Sequence, residues 1–334
     1  MVVKLSKLIL IFGFIGWCNF SLSQDIHWSQ FNDNQLFQNP AHAGFFNGDY
    51  RFIANYRNQW KSVTVPFSTF STSVDMRKNN FGIGVLLFHD QAGDGKFQTI
   101  EAQINASYQI RLTKDSLHLI RFGLNGGLNH RQLNWDKLYF DNQFNGYVFD
   151  PSLPTNENYQ ADSKSNLNIG LGVLHEWKKM DRYKIVSGFA TYNLNQPNQG
   201  FYNSVVKRDI RFTSFVKGTF QLNPKWDLVP SIQYTHQGKY RELIIGSSLK
   251  YYLMDTQKKY QALYLGLWNR GVDASYLNLG MDYNDLFVGI SYDLNYSKLV
   301  PASRMRGGFE LAARYIIRTF KPKKILHRVC PDFI

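Results

Sequence analysis

Thirteen consecutive residues, Thr99 to Arg111, alternate between polar and apolar without interruption. Ile100, Ala102, Ile104, Ala106, Tyr108 and Ile110 are apolar, and Thr99, Glu101, Gln103, Asn105, Ser107, Gln109 and Arg111 are polar. Successive side chains of an extended chain point to opposite faces, so this segment is a strand with one apolar and one hydrated surface. The apolar face needs a partner. It is either the core of a soluble sandwich or the hydrocarbon of a bilayer.

The chain opens as an exported protein does. Lys4 and Lys7 precede a nearly all-apolar run, Leu8 to Phe20, and Ser21-Leu22-Ser23 offers small residues to a signal peptidase, which places cleavage before Gln24. The run is short for a spanning helix, and polar residues follow at once. Trp17 before Cys18 argues against a lipoprotein. About 310 residues remain, enough for one large all-β domain or two ordinary ones. No later stretch reaches helical spanning length, so membrane residence requires a barrel. Aromatics make up 16% of residues, and 44% hydrophobic residues coexist with a mean hydropathy of −0.34, as half-polar strands would give. Cys330 is the sole cysteine after cleavage, which excludes an internal disulfide and a cysteine metal cage. The net charge is +13, but Lys and Arg are scattered apart from Lys321, Lys323, Lys324 and Arg328. An exported chain of this kind points to anionic lipid headgroups or an acidic partner, and not to nucleic acid.

Alternation recurs along the chain and predicts about fourteen strands. They are Asp49–Gln59, Phe67–Met76, Phe81–Asp90, Phe97–Arg111, Ser116–Asn134, Leu167–Trp177, Tyr183–Leu194, Asp209–Leu222, Trp226–His236, Arg241–Tyr252, Tyr260–Asn269, Ala274–Tyr283, Leu286–Asn295 and Gly307–Arg318. Most are near the ten residues that a tilted barrel strand needs to cross hydrocarbon. Every second connection is short and polar, such as Lys78–Asn80 and Asn284–Asp285, whereas Asn134–Asn166 and Asn195–Arg208 are long. That rhythm fits tight periplasmic turns and larger outer loops, with both ends of the barrel on the periplasmic side. Glycines inside strands, among them Gly82, Gly84, Gly123, Gly170, Gly172 and Gly188, often oppose the apolar row and so face the lumen. Tyr50, Trp60, Phe97, Tyr108, Trp177, Trp226, Tyr252, Trp268, Tyr283 and Tyr315 stand near strand ends, where interfacial girdles would place them.

Motifs that could carry chemistry fail on their surroundings. Asp90, Asp94, Gly95 and Glu101 match four positions of a calcium loop, but Ala92 supplies no ligand and no helices flank it. Ser247 and Lys250 satisfy S-x-x-K, yet an odd offset in a strand sends them to opposite faces. His175-Glu176 lacks a second histidine at metal spacing, and the glycine pairs 82/84 and 170/172 do not lead into helices. No catalytic, cofactor-binding or metal residue is predicted, and the chain reads as a non-enzyme.

Several ordered segments carry a family resemblance. They are Gln24-Asp25-Ile26-His27-Trp28-Ser29-Gln30-Phe31, Asn39-Pro40-Ala41 with Gly44, Asn55-Tyr56-Arg57-Asn58-Gln59-Trp60, and Asn193-Leu194-Asn195-Gln196-Pro197. Leu265-Gly266-Leu267-Trp268-Asn269-Arg270, Ser291-Tyr292-Asp293-Leu294-Asn295 and Gly307-Gly308-Phe309-Glu310-Leu311 continue it. The set resembles the PorP/SprF family of Bacteroidetes outer-membrane proteins over essentially the whole mature chain. The basic tail ending in Cys330-Pro331-Asp332-Phe333-Ile334 is closer to SprF-like members. The resemblance implies a barrel serving the type IX secretion system. Such a barrel assists secretion or surface anchoring of a partner adhesin with a C-terminal sorting domain, including gliding adhesins, and works beside periplasmic core-complex proteins.

The expected organisation is a signal peptide (1–23), a periplasmic N-terminal segment (24–48), an outer-membrane antiparallel β-barrel of about 14 strands (49–318) and a basic periplasmic tail (319–334). The competing readings are an outer-membrane channel for a small hydrophobic or polar solute and a soluble exported sandwich with carbohydrate-binding loops. On the barrel reading Ile104 faces lipid and Asn105 a polar lumen, so Ile104→Arg should harm assembly and Asn105→Asp should be tolerated.

Overall fold

A computed structural model describes residues 25–319, except 60–64, 94, 114–116, 158–160, 203–204, 257–258, 298–299 and 304. The expected signal peptide, the tail beyond Thr319 with Cys330, Trp60 and Asp94 lie outside the described residues. Fourteen antiparallel strands close into one barrel. They are β1 (Tyr50–Gln59), β2 (Phe67–Lys78), β3 (Phe81–Ala92), β4 (Phe97–Arg111), β5 (His118–Gln132), β6 (Ser163–Met180) and β7 (Tyr183–Tyr192). The second half comprises β8 (Arg211–Asn223), β9 (Trp226–Gln237), β10 (Tyr240–Asp255), β11 (Tyr260–Arg270), β12 (Ala274–Tyr283), β13 (Leu286–Asn295) and β14 (Arg306–Ile317). Each strand pairs with its sequence neighbours, and β1 closes on β14 from Tyr50↔Ile317 to Gln59↔Gly308. Closure gives every strand a partner on both sides over most of its length, as hydrocarbon demands.

Local chemistry explains the strand ends. The turns after β2 and β12 consist of two residues each, and Asn79 and Asn284 adopt φ of 56° and 54°. Asparagine tolerates that left-handed region better than other side chains with a Cβ. The connections after β2, β4, β6, β8, β10 and β12 share one end of the barrel and are all two to six residues long. The long loops after β5 and β7 stand at the other end, together with the short turns 238–239 and 271–273. By the rule for such barrels the end without long loops faces the periplasm.

The alternation of β4 is realised fully. Ile104 is 64% exposed on the outer wall, whereas Glu101 and Asn105 are 4% and 0% exposed on the inner wall. Tyr50, Tyr108, Trp226, Tyr283 and Tyr315 also face outward, as a girdle requires. Tyr252 and Trp268 do not. Both are buried inside, Trp268 stacking on Tyr276, and Phe97 shares the inward-facing parity of Thr99 and Glu101. A strand end supplies no rule for which face an aromatic takes, and in these three positions the lumen side has apolar material to bury.

For Trp268 that material is Phe31 of residues 25–48, whereas Tyr252 lies against Tyr260 and the Arg182 guanidinium and Phe97 against Phe201 and Arg131. The segment 25–48, expected in the periplasm, runs inside the barrel as a plug, and the buried apolar clusters form where it meets the wall. Phe31 packs with Ile244, Trp268 and Tyr276, while Leu36 and Ala43 pack with Leu86. Ala41 packs with Leu174, Val186 and Phe215. The lumen is therefore a packed interior, which explains why strands such as β3, with Val85-Leu86-Leu87-Phe88, are apolar on both faces.

Candidate functional site: the plug, its lock and the outer vestibule

The plug traverses the lumen from the long-loop end to the short-turn end. At the long-loop end, the Asp25 N–H donates to Gln237 Oε1 (2.8 Å), and the Asp25 carboxylate receives Arg208 Nη2 (2.8 Å) and Asn193 Nδ2 (3.2 Å). At the other end Gly44 N–H donates to Asp75 Oδ2 (2.7 Å), and the Asp49 N–H donates to the Ile317 carbonyl. Between them lie a 3-10 turn at Phe31–Asp33, the short helix α1 (Gln35–Gln38) and a second 3-10 turn at Pro40–His42. Asn39 caps that second turn by accepting the Ala41 N–H at 2.8 Å, and Pro40 fits its first position because it has no N–H to leave unpaired.

Inward-facing glycines let the plug backbone touch the wall. A Cβ on Gly82 would lie 2.0 Å from the Ala43 carbonyl oxygen, and one on Gly123 would lie 2.2 Å from the Ala41 nitrogen. Only glycine permits that approach. The same stretch is hydrogen-bonded in place. Asn39 Nδ2 donates to the Val173 and Phe189 carbonyls on β6 and β7 (3.0 and 3.1 Å). Arg121 Nη2 and Ser107 Oγ both donate to the Ala43 carbonyl (2.6 and 2.7 Å).

Two buried charge clusters lock the plug. In the lower one Arg51 makes a bidentate pair with Asp75 (2.9 and 2.7 Å) and donates to the His42 carbonyl at 3.0 Å. In the upper one the Glu310 carboxylate accepts the N–H groups of Ser29 and Gln30, each at 2.8 Å, and Arg57 at 2.8 Å. Asp293 joins Arg57 (2.9 Å) to Arg270 (2.7 Å), and Ser29 Oγ donates to Asp293 at 2.8 Å while accepting from both guanidiniums. A carboxylate buried this deeply needs a full set of donors, and here β1, β11 and the plug supply them to the carboxylates of β13 and β14.

Titration in the plug follows the same geometry. Burial would raise the Asp25 carboxyl, but Arg208 and Arg211 more than offset it and hold it at about 2. Burial, aided by Arg270 and Arg57, keeps His27 well below the usual histidine range, and burial with Arg51 does the same for His42. Both imidazoles are neutral at pH 7.

Above the plug, between its first residues and the upper wall of β1–β6, is a vestibule of about 260 Å³. Its lining mixes Phe37, Phe67, Phe88 and Phe97 with Gln103, Asn129 and Asn168, and with Arg131 and Arg208. The outer loops stand over it. Trp135 of the β5–β6 loop packs edge-on against Phe201 and Tyr202 of the β7–β8 loop, and Phe97 meets Phe201 in the same way. Beyond that contact Tyr139 (77% exposed), Tyr147 (92%) and Val205 (69%) project into solvent, along with Phe144 and Val148.

The residues of the rejected motifs stay apart. Lys250 faces the lumen beside Asp282 (3.5 Å), whereas Ser247 has the opposite parity on β10. Glu101 is engaged by Asn129 and Arg208, and Asp90 by Thr69. Among the described residues no group of three or more His, Cys, Asp or Glu could hold a metal ion. Sequence reasoning missed the plug itself. The one signal that could have pointed to it was glycine at the inward-facing positions 82 and 123, where a water-filled lumen requires no loss of side chain but a plug backbone lies within 2.2 Å of where a Cβ would be.

Comparison with solved structures supports the barrel. The chain is similar to the Pseudomonas putida toluene transporter TodX, with a TM-score of 0.53 and 11% identity over 88% of this chain and 95% of that one. It is also similar to the Ralstonia pickettii toluene transporter TbuX, with a TM-score of 0.52 and 9% identity over 86% and 94%. At such identities the likeness is one of fold alone, an outer-membrane barrel. No curated protein sequence matches the chain. Residues 20–315 match the family model described as type IX secretion system membrane protein PorP/SprF, which takes in the plug, the lock and every strand but the end of β14, and the chain therefore belongs to the PorP/SprF family.

Proposed function

We propose that this protein is a non-enzymatic outer-membrane component of the type IX secretion system that assists secretion or surface anchoring of a partner adhesin carrying a C-terminal sorting domain. The observation that carries the reading is the solvent-facing aromatic surface on the outer loops. Tyr139, Phe144, Tyr147 and Val148 on one loop and Tyr202, Val205 and Val206 on the other lie beyond the strands that meet lipid. Large apolar side chains grouped outside the bilayer mark a protein-docking surface. The basic tail and the chain length favour an SprF-like member, and a gliding adhesin is a fitting cargo. The signal is removed near Ser23/Gln24, and the tail after β14 reaches the periplasm, where core-complex proteins are the partners. Outer-membrane lipid covers the wall, and nucleic acid has no place in this scheme.

The second reading is a channel for a small hydrophobic or polar solute. TodX and TbuX are described as toluene transporters, and the mixed vestibule is large enough for a small molecule. A plug stitched to the wall along its length weighs against it. The deciding experiment deletes the gene and complements it with the intact protein or with Tyr147→Asp plus Val205→Asp. Loss of adhesin from the cell surface in both the deletion and the double variant supports docking. Normal display in the deletion, with altered solute uptake, supports the channel.

A further inference from the structure

β6 is taller than its neighbour. Its pairing with β5 runs up to Gln132↔Ser163, but its pairing with β7 begins only at Leu171↔Thr191. Residues Ser163 to Gly170 therefore have a strand on one side only. β7 stops there because Asn193 turns the chain at φ 60°, held by bonds from its Nδ2 to the Asp25 carboxylate and the Asp209 carbonyl. The plug thus fixes the point where the wall steps down.

The lower part of this edge is filled by a side chain acting as a strand. Asn195 Nδ2 donates to the Leu167 carbonyl at 2.6 Å, its Oδ1 accepts the Ile169 N–H at 3.3 Å, and the Leu194 N–H donates to the Ile169 carbonyl at 3.0 Å. The Asn195 carboxamide presents the donor and acceptor that a peptide group would. Odd-numbered residues of β6 turn their backbone groups to this side. Above Asn195, among the described residues, the Leu167 N–H and both backbone groups of Ser165 and Ser163 meet no partner there. All three residues are exposed, and Lys164 and Asn166, of opposite parity, continue to bond β5.

A row of donors and acceptors at strand spacing calls for another backbone; lipid supplies none. We infer that the upper edge of β6, Ser163–Leu167, accepts an extended segment of the exported partner protein as an added strand. This rests on the docking reading above and gives it a chemistry. The edge borders the loop that carries Tyr202, Val205 and Val206, so the added strand is continuous with that apolar surface. Backbone bonds hold the segment, and its alternate side chains meet the loop.

The test uses the full-length protein in its own outer membrane. A photo-crosslinking residue replaces Leu167 at the edge or Tyr147 at the loop tip. Both positions should capture the same exported protein, and the Leu167 product should map to a single extended segment of it. Ser165→Pro removes an N–H on the free side only and should lower capture at position 167 at least tenfold, while Ser165→Ala leaves it unchanged. Should Ser165→Pro lose the heat-modifiable folded band, Ser163→Pro makes the same comparison. Capture at position 147 alone overturns the added strand and leaves docking standing; capture at neither overturns both. A product of twice this chain's mass, or equal loss with Ser165→Ala, also overturns the inference.

Discussion

Replacing Arg57 by Met should release the upper end of the plug without unfolding the wall. Arg57 is 1% exposed and bonds both Glu310 and Asp293. Asp293 keeps Arg270, but Glu310 is left as a buried carboxylate held only by the plug N–H groups of Ser29 and Gln30. Breaking a buried pair from one side costs about 3–5 kcal/mol, because the survivor's charge stays desolvated. If that cost falls on local opening of the plug, amide exchange at Ser29 and Gln30 rises between roughly 10²- and 5 × 10³-fold. The assay is hydrogen exchange of the detergent-solubilised barrel, with the β4–β5 ladder as internal reference. Adding Glu310→Gln removes the stranded charge while keeping an acceptor for the N–H groups, so the double variant should recover much of the protection. Unchanged exchange in Arg57→Met, equal acceleration in β4–β5, or no recovery in the double variant would each refute the lock.

Gly82→Ala should displace the plug at its lower end, since the new methyl falls on the Ala43 carbonyl; we expect a loss of roughly 1–3 kcal/mol, read as faster protease cleavage between residues 40 and 48. Acid should loosen the plug in two stages. The histidine pKa values are lowered on folding, so that contribution is present above about pH 6.5 and falls as pH drops below it; Asp25 contributes above about pH 4 and loses this as pH falls toward 2. Protease resistance measured against pH should show both, and His27→Gln with His42→Gln should flatten the first. Ile104→Arg should cost about 2–4 kcal/mol of membrane stability by urea unfolding in vesicles. Asn105→Asp, harmless in a water-filled lumen, should instead cost roughly 1–3 kcal/mol, because Asn105 is wholly buried with the Asn125 amide as its donor. In planar bilayers the intact protein should be silent, whereas Arg57→Met should show step openings; frequent openings in the intact protein would favour the channel.

The barrel wall was legible residue by residue. Ala274–Tyr283, Leu286–Asn295 and Phe97–Arg111 begin and end in the structure where alternation places them. The other strands differ by a few residues, chiefly β6, whose first four residues (163–166) escape the alternation because they carry no apolar signal. The candidate site was legible only as fragments. Asn39-Pro40-Ala41 and Gly44 stood out as family markers, and Gly82 and Gly123 as lumen-facing. Nothing local joins Ala41 to Gly123 or Ser29 to Glu310, 281 residues apart.

The period of two determined which side of each strand meets lipid, because hydrocarbon rejects polar side chains at every strand independently. What fills the other side was decided by tertiary structure. A polar inner face is compatible with water or with protein, and Arg51, Arg57, Glu310 and Asp293 would read alike in either. Only closure of the barrel brings them around one chain segment, where each buried charge finds the donors or acceptors that make its burial tolerable. The same closure leaves β7 short beside β6, an edge that no single strand's sequence could announce.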